Sequence, residues 1–259
     1  VNVVCDGKEI LLSPEWVGDE AVMMAEKLKN VPILTGADRF QTGRYALKNY
    51  EIDTLILDDG FQHLALRRDL DILLCDHQRP LGNNYLFPAG ELREPARETR
   101  RADMVCFTRY SGGPVKFSPK YLGSIPQIKT HLRLDSIINM ENGDVCDAEV
   151  LKGQPVIAFC GIAKPEGFRQ ILQDVQVQLK MFKAFPDHHE YSLNDVKELE
   201  FIASQEGVKY ILVSEKDAVK LKGMKFSLPF FKVVIDLEIL EGREIFNKKI
   251  TTTTSRRGN

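Results

Sequence analysis

Short apolar runs alternate with segments of helical spacing along most of the chain. Runs of strand length lie at residues 31–35, 72–75, 104–108, 155–160 and 210–213. Between the runs, apolar residues recur every three or four positions, as in residues 21–28 and 193–206, which is the period of an amphipathic helix. Because strands that alternate with helices favour a mostly parallel sheet flanked by helices, we predict an α/β fold.

The same pattern divides the chain into a larger first part and a smaller second part. Residues 111–126 are rich in Gly, Pro and Ser, which marks a boundary or a long loop, and the alternation around Asn142-Gly143 suits a two-stranded ribbon. A second α/β pattern follows, and the chain ends in a polar, repetitive stretch. We therefore predict a core over 1–125, a two-stranded ribbon linker over 126–150, a second, smaller α/β domain over 151–250 and a disordered tail over 251–259.

Two adjacent carboxylates follow one of the apolar runs. Residues 54–57 predict a buried strand, and Asp58 and Asp59 come directly after it. Ligands of open α/β sheets bind at the carboxyl ends of the strands, and paired carboxylates there are typical of a site that holds a divalent cation beside a phosphate. From these residues alone, an acidic turn that closes the strand is an equal alternative.

Composition and charge describe an ordinary globular protein. The net charge of −2 gives no overall attraction to nucleic acid, so local basic groups must meet any anionic ligand. No apolar run reaches the roughly 18 residues that a membrane helix needs. The five cysteines are odd in number, widely spread and free of a CxxC pair, so we predict buried, reduced thiols in a cytoplasmic protein.

A phosphate-binding loop of the form G-x-x-x-x-G-K-[ST] is missing from the chain. The Gly7-Lys8 pair continues with Glu9 and lies in a predicted hairpin turn. Either the protein is not a P-loop enzyme, or the loop lies upstream of Val1. Because the chain begins with Val rather than Met, we expect a fragment or a processed product.

A set of motifs, in one order, closely resembles the tetraacyldisaccharide 4'-kinase family of lipid A biosynthesis. The motifs are Gly18-Asp19-Glu20 (with Ala21 in place of the family's usual Pro), Asp58-Asp59-Gly60-Phe61-Gln62-His63, Arg67-Arg68-Asp69, Pro80-Leu81-Gly82-Asn83, Pro88-Ala89-Gly90-Glu91-Leu92-Arg93-Glu94-Pro95, Ala158-Phe159-Cys160-Gly161-Ile162-Ala163 with Pro165, Phe185-Pro186-Asp187-His188-His189, and Glu215-Lys216-Asp217 with Lys220. The resemblance runs from about residue 3 to about residue 236. A single one of these motifs is weak evidence, whereas the ordered set is strong.

The resemblance implies a P-loop kinase-like core that lacks its N-terminal part. It implies transfer of the γ-phosphate of ATP, with Mg²⁺, to the 4'-hydroxyl of a tetraacylated glucosamine disaccharide 1-phosphate. It also implies peripheral contact with the bacterial inner membrane at its cytoplasmic face, and no nucleic-acid partner. The family's hydrophobic N-terminal segment and Walker A loop are not in this sequence, so we expect the chain alone to be inactive or nearly so.

The resemblance also assigns catalytic and metal-binding roles. Asp58 and Asp59 become a Walker-B-like pair that binds Mg²⁺ and, through it, the nucleotide. Asp19 becomes the general base, with His188 as the partner that orients it and helps to remove the proton from the sugar hydroxyl. Without the family, helix capping by Asp19 and a turn or buried structural role for His188 are the simpler interpretations.

Six further residues are candidates for substrate binding. They are Arg39, Gln62, His63, Asn83, Arg93 and Glu94. Arg39 and Arg93 suit phosphate because a guanidinium binds its oxygens in a fork. The alternatives are a surface ion pair of Arg93 with Glu94 or Glu98, and a turn at Asn83.

Two rival functions remain open on the sequence. A metal-dependent phosphohydrolase with an aspartate nucleophile explains Asp58 and Asp59 without a P-loop, but it does not explain Asp19, His188 or the order of the motifs. A truncated product that binds lipid or a partner without turnover is the non-catalytic alternative. A Gly-rich loop ending in Lys-Thr or Lys-Ser, encoded upstream of Val1, separates the kinase from both.

Overall fold

A computed structural model describes residues 1–255, except for the side chain of Pro119. The strands are β1 (Asn2–Asp6), β2 (Pro32–Thr35), β3 (Ile72–Asp76), β4 (Met104–Thr108), β5 (Gln127–Asn139), β6 (Val145–Asp147), β7 (Pro155–Cys160), β8 (Gln178–Ala184), β9 (Tyr210–Ser214) and β10 (Phe230–Glu241). The α-helices are α1 (Pro14–Val17), α2 (Asp19–Lys27), α3 (Arg39–Asn49), α4 (Pro119–Leu122), α5 (Pro165–Asp174), α6 (Leu193–Gln205), α7 (Glu215–Ala218) and α8 (Arg243–Ser255). Among these, no helix combines the length and the apolar composition that crossing a membrane requires.

The chain forms two compact units, each built from separate stretches of sequence. Unit 1 comprises Val1–Asp38 and Arg133–Asp236, and unit 2 comprises Arg39–Leu132 and the chain from Leu237 onward. The sequence pattern instead predicted domains that are each continuous in sequence. Residues 1–38 belong with the later half because α2 and β1 bury apolar side chains against Val219.

Unit 1 contains a parallel arrangement around β7. Strand β7 pairs in parallel with β8 and with β9, and β10 pairs in parallel with β9. The core packs around Phe159 of β7, which is fully buried and meets Phe185, Tyr191 and Phe230 edge to face. Such edge-to-face contacts fix ring orientations in addition to burying area. This core anchors the loop that follows β8.

Helix α2 packs on a small antiparallel pair formed by β1 and β2 in the same unit. Ala21, Val22 and Ala25 are buried on one face of the helix, at the three- and four-residue spacing of a helical stripe. They pack against Val4 of β1 and Val219. The packing fixes the N-terminus of α2, and therefore the position of Asp19.

Unit 2 contains the parallel strands β3, β4 and the first part of β5. Phe107 of β4 is fully buried and packs edge to face with Phe117. On another side of β4, Phe246 of α8 packs against Met104 and Ile128. With the parallel pairings of unit 1, this arrangement confirms the predicted α/β fold with a mostly parallel sheet.

Two local expectations are wrong. Residues 54–57 form no strand, and Ile56 is 94% exposed, so the apolar run before Asp58 is not the buried strand that we predicted. Residues 251–255 are helical, as the end of α8, rather than disordered. The helix forms because Gly242, at φ +85°, turns the chain tightly against Ile128 and so brings Phe246 onto the core. Residues 256–259 of the expected tail lie outside the described residues.

Four of the five cysteines are buried thiols, as predicted, and all five are free. Burial raises the pKa of Cys75 to about 12, with a smaller contribution from Cys106. Burial and then the nearby charge of Asp217 raise the pKa of Cys160 to about 12 as well. Cys146, on β6, is the partly exposed thiol. Since the thiolate is the nucleophile, buried thiols of raised pKa are inert at neutral pH.

We therefore expect iodoacetamide at pH 8 to alkylate Cys146 in the folded chain and to leave Cys75 and Cys160 unmodified, because pH 8 lies far below their pKa of about 12. Peptide mass spectrometry after timed quenching measures this. Alkylation in denaturant, where all five thiols react, is the control. Labelling of Cys75 or Cys160 at the rate of Cys146 in the folded state would contradict the burial described here.

Candidate functional site

Asp19 and His188 contact each other in unit 1. Asp19 is the first residue of α2 and only 8% exposed, and its Oδ2 lies 3.2 Å from Nδ1 of His188. The residue that caps α2 is Gly18, and no side chain makes the capping hydrogen bond, so Asp19 is not the helix cap. The carboxylate at a helix N-terminus is also favoured by the helix dipole. The structure thus brings together the two residues that the resemblance paired.

A lysine that the sequence analysis left without a role lies against the same carboxylate. Nζ of Lys220 is 3.0 Å from Oδ2 of Asp19 and 3.9 Å from Oδ1 of Asp217, and it donates to the carbonyl of His189 at 3.2 Å. The Lys220 side chain is only 4% exposed. A buried ammonium group is tolerated when carboxylates neutralise it, and here two of them do so.

Asp217 connects this lysine to the backbone beneath the site. It is fully buried, and its Oδ2 accepts hydrogen bonds from the Gly161 amide at 2.8 Å and from the Ser214 hydroxyl at 2.5 Å. Its Oδ1 has no hydrogen-bond partner among the described residues, so Lys220 is the cation that balances it. Ser214 in turn caps α7 by accepting from the Asp217 amide.

Gly161 allows the His188 loop to approach closely. Its carbonyl accepts from the His188 amide at 3.2 Å. A Cβ at this position would lie 3.0 Å from the Pro186 carbonyl oxygen and 3.1 Å from Oδ1 of Asp217. Neither neighbour is a flexible side-chain end, so the position favours glycine. This requirement explains why the motif after β7 carries a glycine.

The loop itself holds His188 in an unusual backbone conformation. His188 has φ +59°, a region that costs energy for a residue with a side chain. Its side chain is largely exposed, so it is not a buried structural histidine. Partial burial opposes the charged form of the neighbouring Asp187, but Lys216 and His188 together outweigh it, so the pKa of Asp187 lies below its usual value. His189 stacks on Phe185, with ring centroids 4.4 Å apart.

The acidic pair of unit 2 is arranged differently. Asp59, at φ +50°, binds Arg93, whose Nη1 lies 2.8 Å from Oδ1 and 2.6 Å from Oδ2. Hydrogen bonding to Asp59 raises the pKa of Arg93 above its usual value. Asp58 is exposed beside it. Arg93 therefore forms a surface ion pair, as in the alternative to phosphate binding, but its partner is Asp59 rather than Glu94 or Glu98.

Arg101 binds Glu94 and Glu98, the partners that the ion-pair alternative gave to Arg93. Its guanidinium binds both oxygens of Glu94, at 2.8 and 2.9 Å, and also Glu98 at 2.9 Å. It lies over the Phe61 ring, 4.6 Å from the centroid. Gln62 donates to Glu94 at 3.1 Å, so these two predicted binding residues lie together. No motif or spacing in the sequence singled out Arg101.

The other predicted binding residues lie apart from these contacts. Asn83 accepts from the Tyr85 amide at 3.2 Å and donates to the Ala89 carbonyl at 3.1 Å, so its side chain holds a turn. His63 accepts from Arg68 through its backbone carbonyl. Arg39 is exposed at the start of α3. A turn at Asn83 was one of the two interpretations of its motif.

The donors at Asp58 and Asp59 fit the Mg²⁺ that the resemblance implies. Carboxylate oxygens are the ligands that Mg²⁺ prefers, and Asp59 already holds one cation, the Arg93 guanidinium. Among residues 1–255, no group of three or more His, Cys, Asp and Glu side chains could hold a metal. A Mg²⁺ bound here would therefore take its remaining ligands from phosphate and water.

Comparisons with known proteins agree with the motifs. The sequence model of the family described as "Tetraacyldisaccharide-1-P 4'-kinase" matches residues 1–254. The tetraacyldisaccharide 4'-kinase of Syntrophus aciditrophicus is 39% identical over 253 residues, which cover 92% of this chain and 68% of that protein. The one from Pelobacter propionicus is 38% identical over 223 residues, which cover 86% and 61%.

A solved structure is similar over nearly the whole chain. The crystal structure of LpxK from Aquifex aeolicus in complex with ATP superposes with a TM-score of 0.78 at 32% identity, and covers 98% of this chain and 74% of that one. The chain spans roughly two thirds of the length of the curated relatives it matches. The family match over residues 1–254 confirms the predicted kinase family: this chain belongs to the tetraacyldisaccharide-1-P 4'-kinases.

Proposed function

We propose that the protein transfers the γ-phosphate of ATP to the 4'-hydroxyl of a tetraacylated glucosamine disaccharide 1-phosphate, with Asp19 as the proton acceptor. The observation that carries this proposal is the buried Asp19 carboxylate, bound at Oδ2 by His188 and Lys220. Family membership supports the substrate class. The rival phosphohydrolase is not favoured, because it accounts for neither the family match nor this pair.

The reaction needs a base because a sugar hydroxyl is a weak nucleophile. In the proposed step, the 4'-hydroxyl gives its proton to Asp19 while its oxygen forms a bond to the γ-phosphorus. The bond between that phosphorus and the bridging oxygen breaks, and its electrons leave with ADP. His188 contacts the same carboxylate and orients it, since Nδ1 and Oδ2 are 3.2 Å apart.

In this proposal Asp58 and Asp59 hold the Mg²⁺. A bound ion would supply positive charge that neutralises the phosphates of the nucleotide. To hold the ion, Asp59 would release its contact with Arg93. Arg93 is then free to bind a phosphate oxygen, which suits its exposed position and its forked guanidinium.

The remaining substrate contacts are assigned in the same proposal. Arg39 supplies a second exposed cation for phosphate, while Gln62, His63 and Glu94 supply hydrogen-bonding groups for the sugar. Arg101 supports this group because it fixes both oxygens of Glu94. Asn83 acts through the turn it holds, since its amide already bonds to that turn.

The acylated substrate implies peripheral contact with the cytoplasmic face of the bacterial inner membrane. A rigid apolar tip in unit 2 supports this proposal. The amides of Phe87 and Leu92 donate to the carbonyls of Leu92 and Tyr85, at 2.8 and 3.1 Å, and yet Phe87 is 80% exposed. Tyr85 and Leu86 are exposed beside it, and Arg79 and Arg93 flank the tip. Aromatic and basic side chains together suit a lipid surface.

In the product of the complete reading frame, Asp19→Asn should lower kcat by roughly 10²- to 10⁴-fold, because it removes the proton acceptor while keeping the shape of the side chain. KM for ATP should change little. Transfer of radiolabelled phosphate to the acylated disaccharide measures both quantities. Glu20→Gln, which changes the exposed neighbour on the same helix, is the matched control and should keep full activity. Unchanged turnover in Asp19→Asn would rule out the assignment.

Asp58→Asn should raise the Mg²⁺ concentration needed for half-maximal activity by about tenfold or more, because it removes one of two anionic ligands. Titration of activity with MgCl₂ at saturating ATP measures this. Asp53→Asn, at an exposed acidic residue of the same segment, serves as the control. An identical Mg²⁺ requirement for Asp58→Asn and the native protein would contradict the metal assignment.

Phe87→Ser should weaken binding of this chain to vesicles of phosphatidylethanolamine and phosphatidylglycerol by several-fold, because it removes the most exposed apolar side chain of the tip. Co-sedimentation measures the bound fraction. Phe201→Ser removes an equally large exposed side chain from α6 and should leave binding unchanged. Equal binding by the native chain and Phe87→Ser would show that this tip does not contact lipid.

A further inference from the structure

The Lys220 side chain is buried, which is rare for a lysine unless it is paired with acidic groups. It lies in the short turn of 3₁₀ helix Val219–Leu221 that follows α7, and its side chain is almost fully buried. Lys222, two residues further along the chain, has a side chain that is 74% exposed. A surface ion pair contributes little, whereas a buried ammonium group fixes the carboxylates around it.

Both contacts to the Asp19 carboxylate involve the same oxygen. Lys220 Nζ and His188 Nδ1 lie 3.0 and 3.2 Å from Oδ2. Two nitrogen atoms at one oxygen restrict the rotation of the carboxylate, and both of these contacts are made at Oδ2 rather than Oδ1. A base whose accepting atom is fixed in this way needs no reorganisation when the proton arrives.

Lys220 also fixes the loop that carries His188. It donates to the His189 carbonyl at 3.2 Å and neutralises Asp217, which bonds to the Gly161 amide. The carbonyl of the same Gly161 accepts from the His188 amide. One ammonium group therefore contacts the base and supports the backbone of its partner histidine.

We propose that Lys220 is a positioning residue for the phosphoryl transfer: its charge pairs with the Asp19 carboxylate and orients Oδ1 toward the substrate hydroxyl, and its contacts hold the His188 loop in place. This inference rests on the proposed function, in which Asp19 accepts the proton. The charged and titratable groups around Asp19 are Lys220, His188, Glu20, Asp187, Lys216 and Asp217. Of these groups, Lys220 and His188 have nitrogen atoms within 4 Å of the Asp19 carboxylate, and Nζ of Lys220 is the nearer of the two.

The first test of the proposal uses this chain and needs no activity assay. Carbon-13 NMR follows the side-chain carboxyl signal of Asp19 as the pH is lowered. In Lys220→Met the titration midpoint of Asp19 should rise by about one pH unit or more, because the nearest cation is gone. Lys220→Arg should restore most of the native midpoint. Lys222→Met, at an exposed lysine two residues away, should leave it unchanged. A folded Lys220→Met chain with the native midpoint would overturn the proposal.

If Lys220→Met does not fold, an experiment on the native chain still tests the proposal. Nitrogen-15 NMR of the Lys220 ammonium group should show a slowly exchanging signal that shifts in step with the titration of Asp19. An ammonium signal that is insensitive to this titration would overturn the proposal without any variant.

Activity assays on the complete protein then distinguish a failure of the proposed function from a failure of the role proposed for Lys220. Lys220→Arg should retain most of kcat, whereas Lys220→Met should lose about tenfold or more, with KM for ATP nearly constant and the acidic limb of the pH profile moved to higher pH. Full turnover in Asp19→Asn would refute the proposed function while leaving the NMR coupling intact. An essential Asp19 with no coupling to Lys220 would refute this inference alone.

Discussion

The arrangement of unit 1 depends on burying one ammonium group between two carboxylates. Lys220 is neutralised by Asp19 on one side and by Asp217 on the other. These carboxylates come from α2 and α7, which are nearly 200 residues apart in sequence, so the ion pairs join the first and last parts of the unit. Because an unpaired charge in this position is costly, the three side chains specify one another.

Unit 2 uses arginine in a similar way, but at positions that are more exposed than Lys220. Arg101 lies between Glu94, Glu98 and the Phe61 ring, and it orders the acidic and amide groups of the motif. Arg93 binds Asp59 more loosely, since both side chains are well exposed. In the proposed reaction, the first arginine contributes structure and the second is available for exchange with phosphate. The same residue type thus serves two purposes, which are distinguished by burial.

Much of the fold could be predicted from the period of the apolar residues. Strands β3, β4, β7 and β9 are continuous apolar runs, so their length and composition identify them. Strand β8 was missed because Lys180 and Lys183 interrupt its apolar pattern. Residues 54–57 have the composition of a strand, but pairing depends on neighbours that a local pattern does not reveal. Helix α8 was missed because its threonines and lysines look like a polar tail, although Phe246 packs on the core.

The pairing of Asp19 with His188 was predictable only through the motifs, because 169 residues separate them. Lys220 and Arg101 could not be identified as site residues, since their significance lies in burial and in partners remote in sequence. The most direct test of the central claim is a structure of the complete protein with the acylated disaccharide and an unreactive ATP analogue. If Asp19 accepts the proton, we expect its Oδ1 to lie within about 3.2 Å of the 4'-hydroxyl oxygen. A distance beyond about 5 Å, with another base in reach of that hydroxyl, would contradict it.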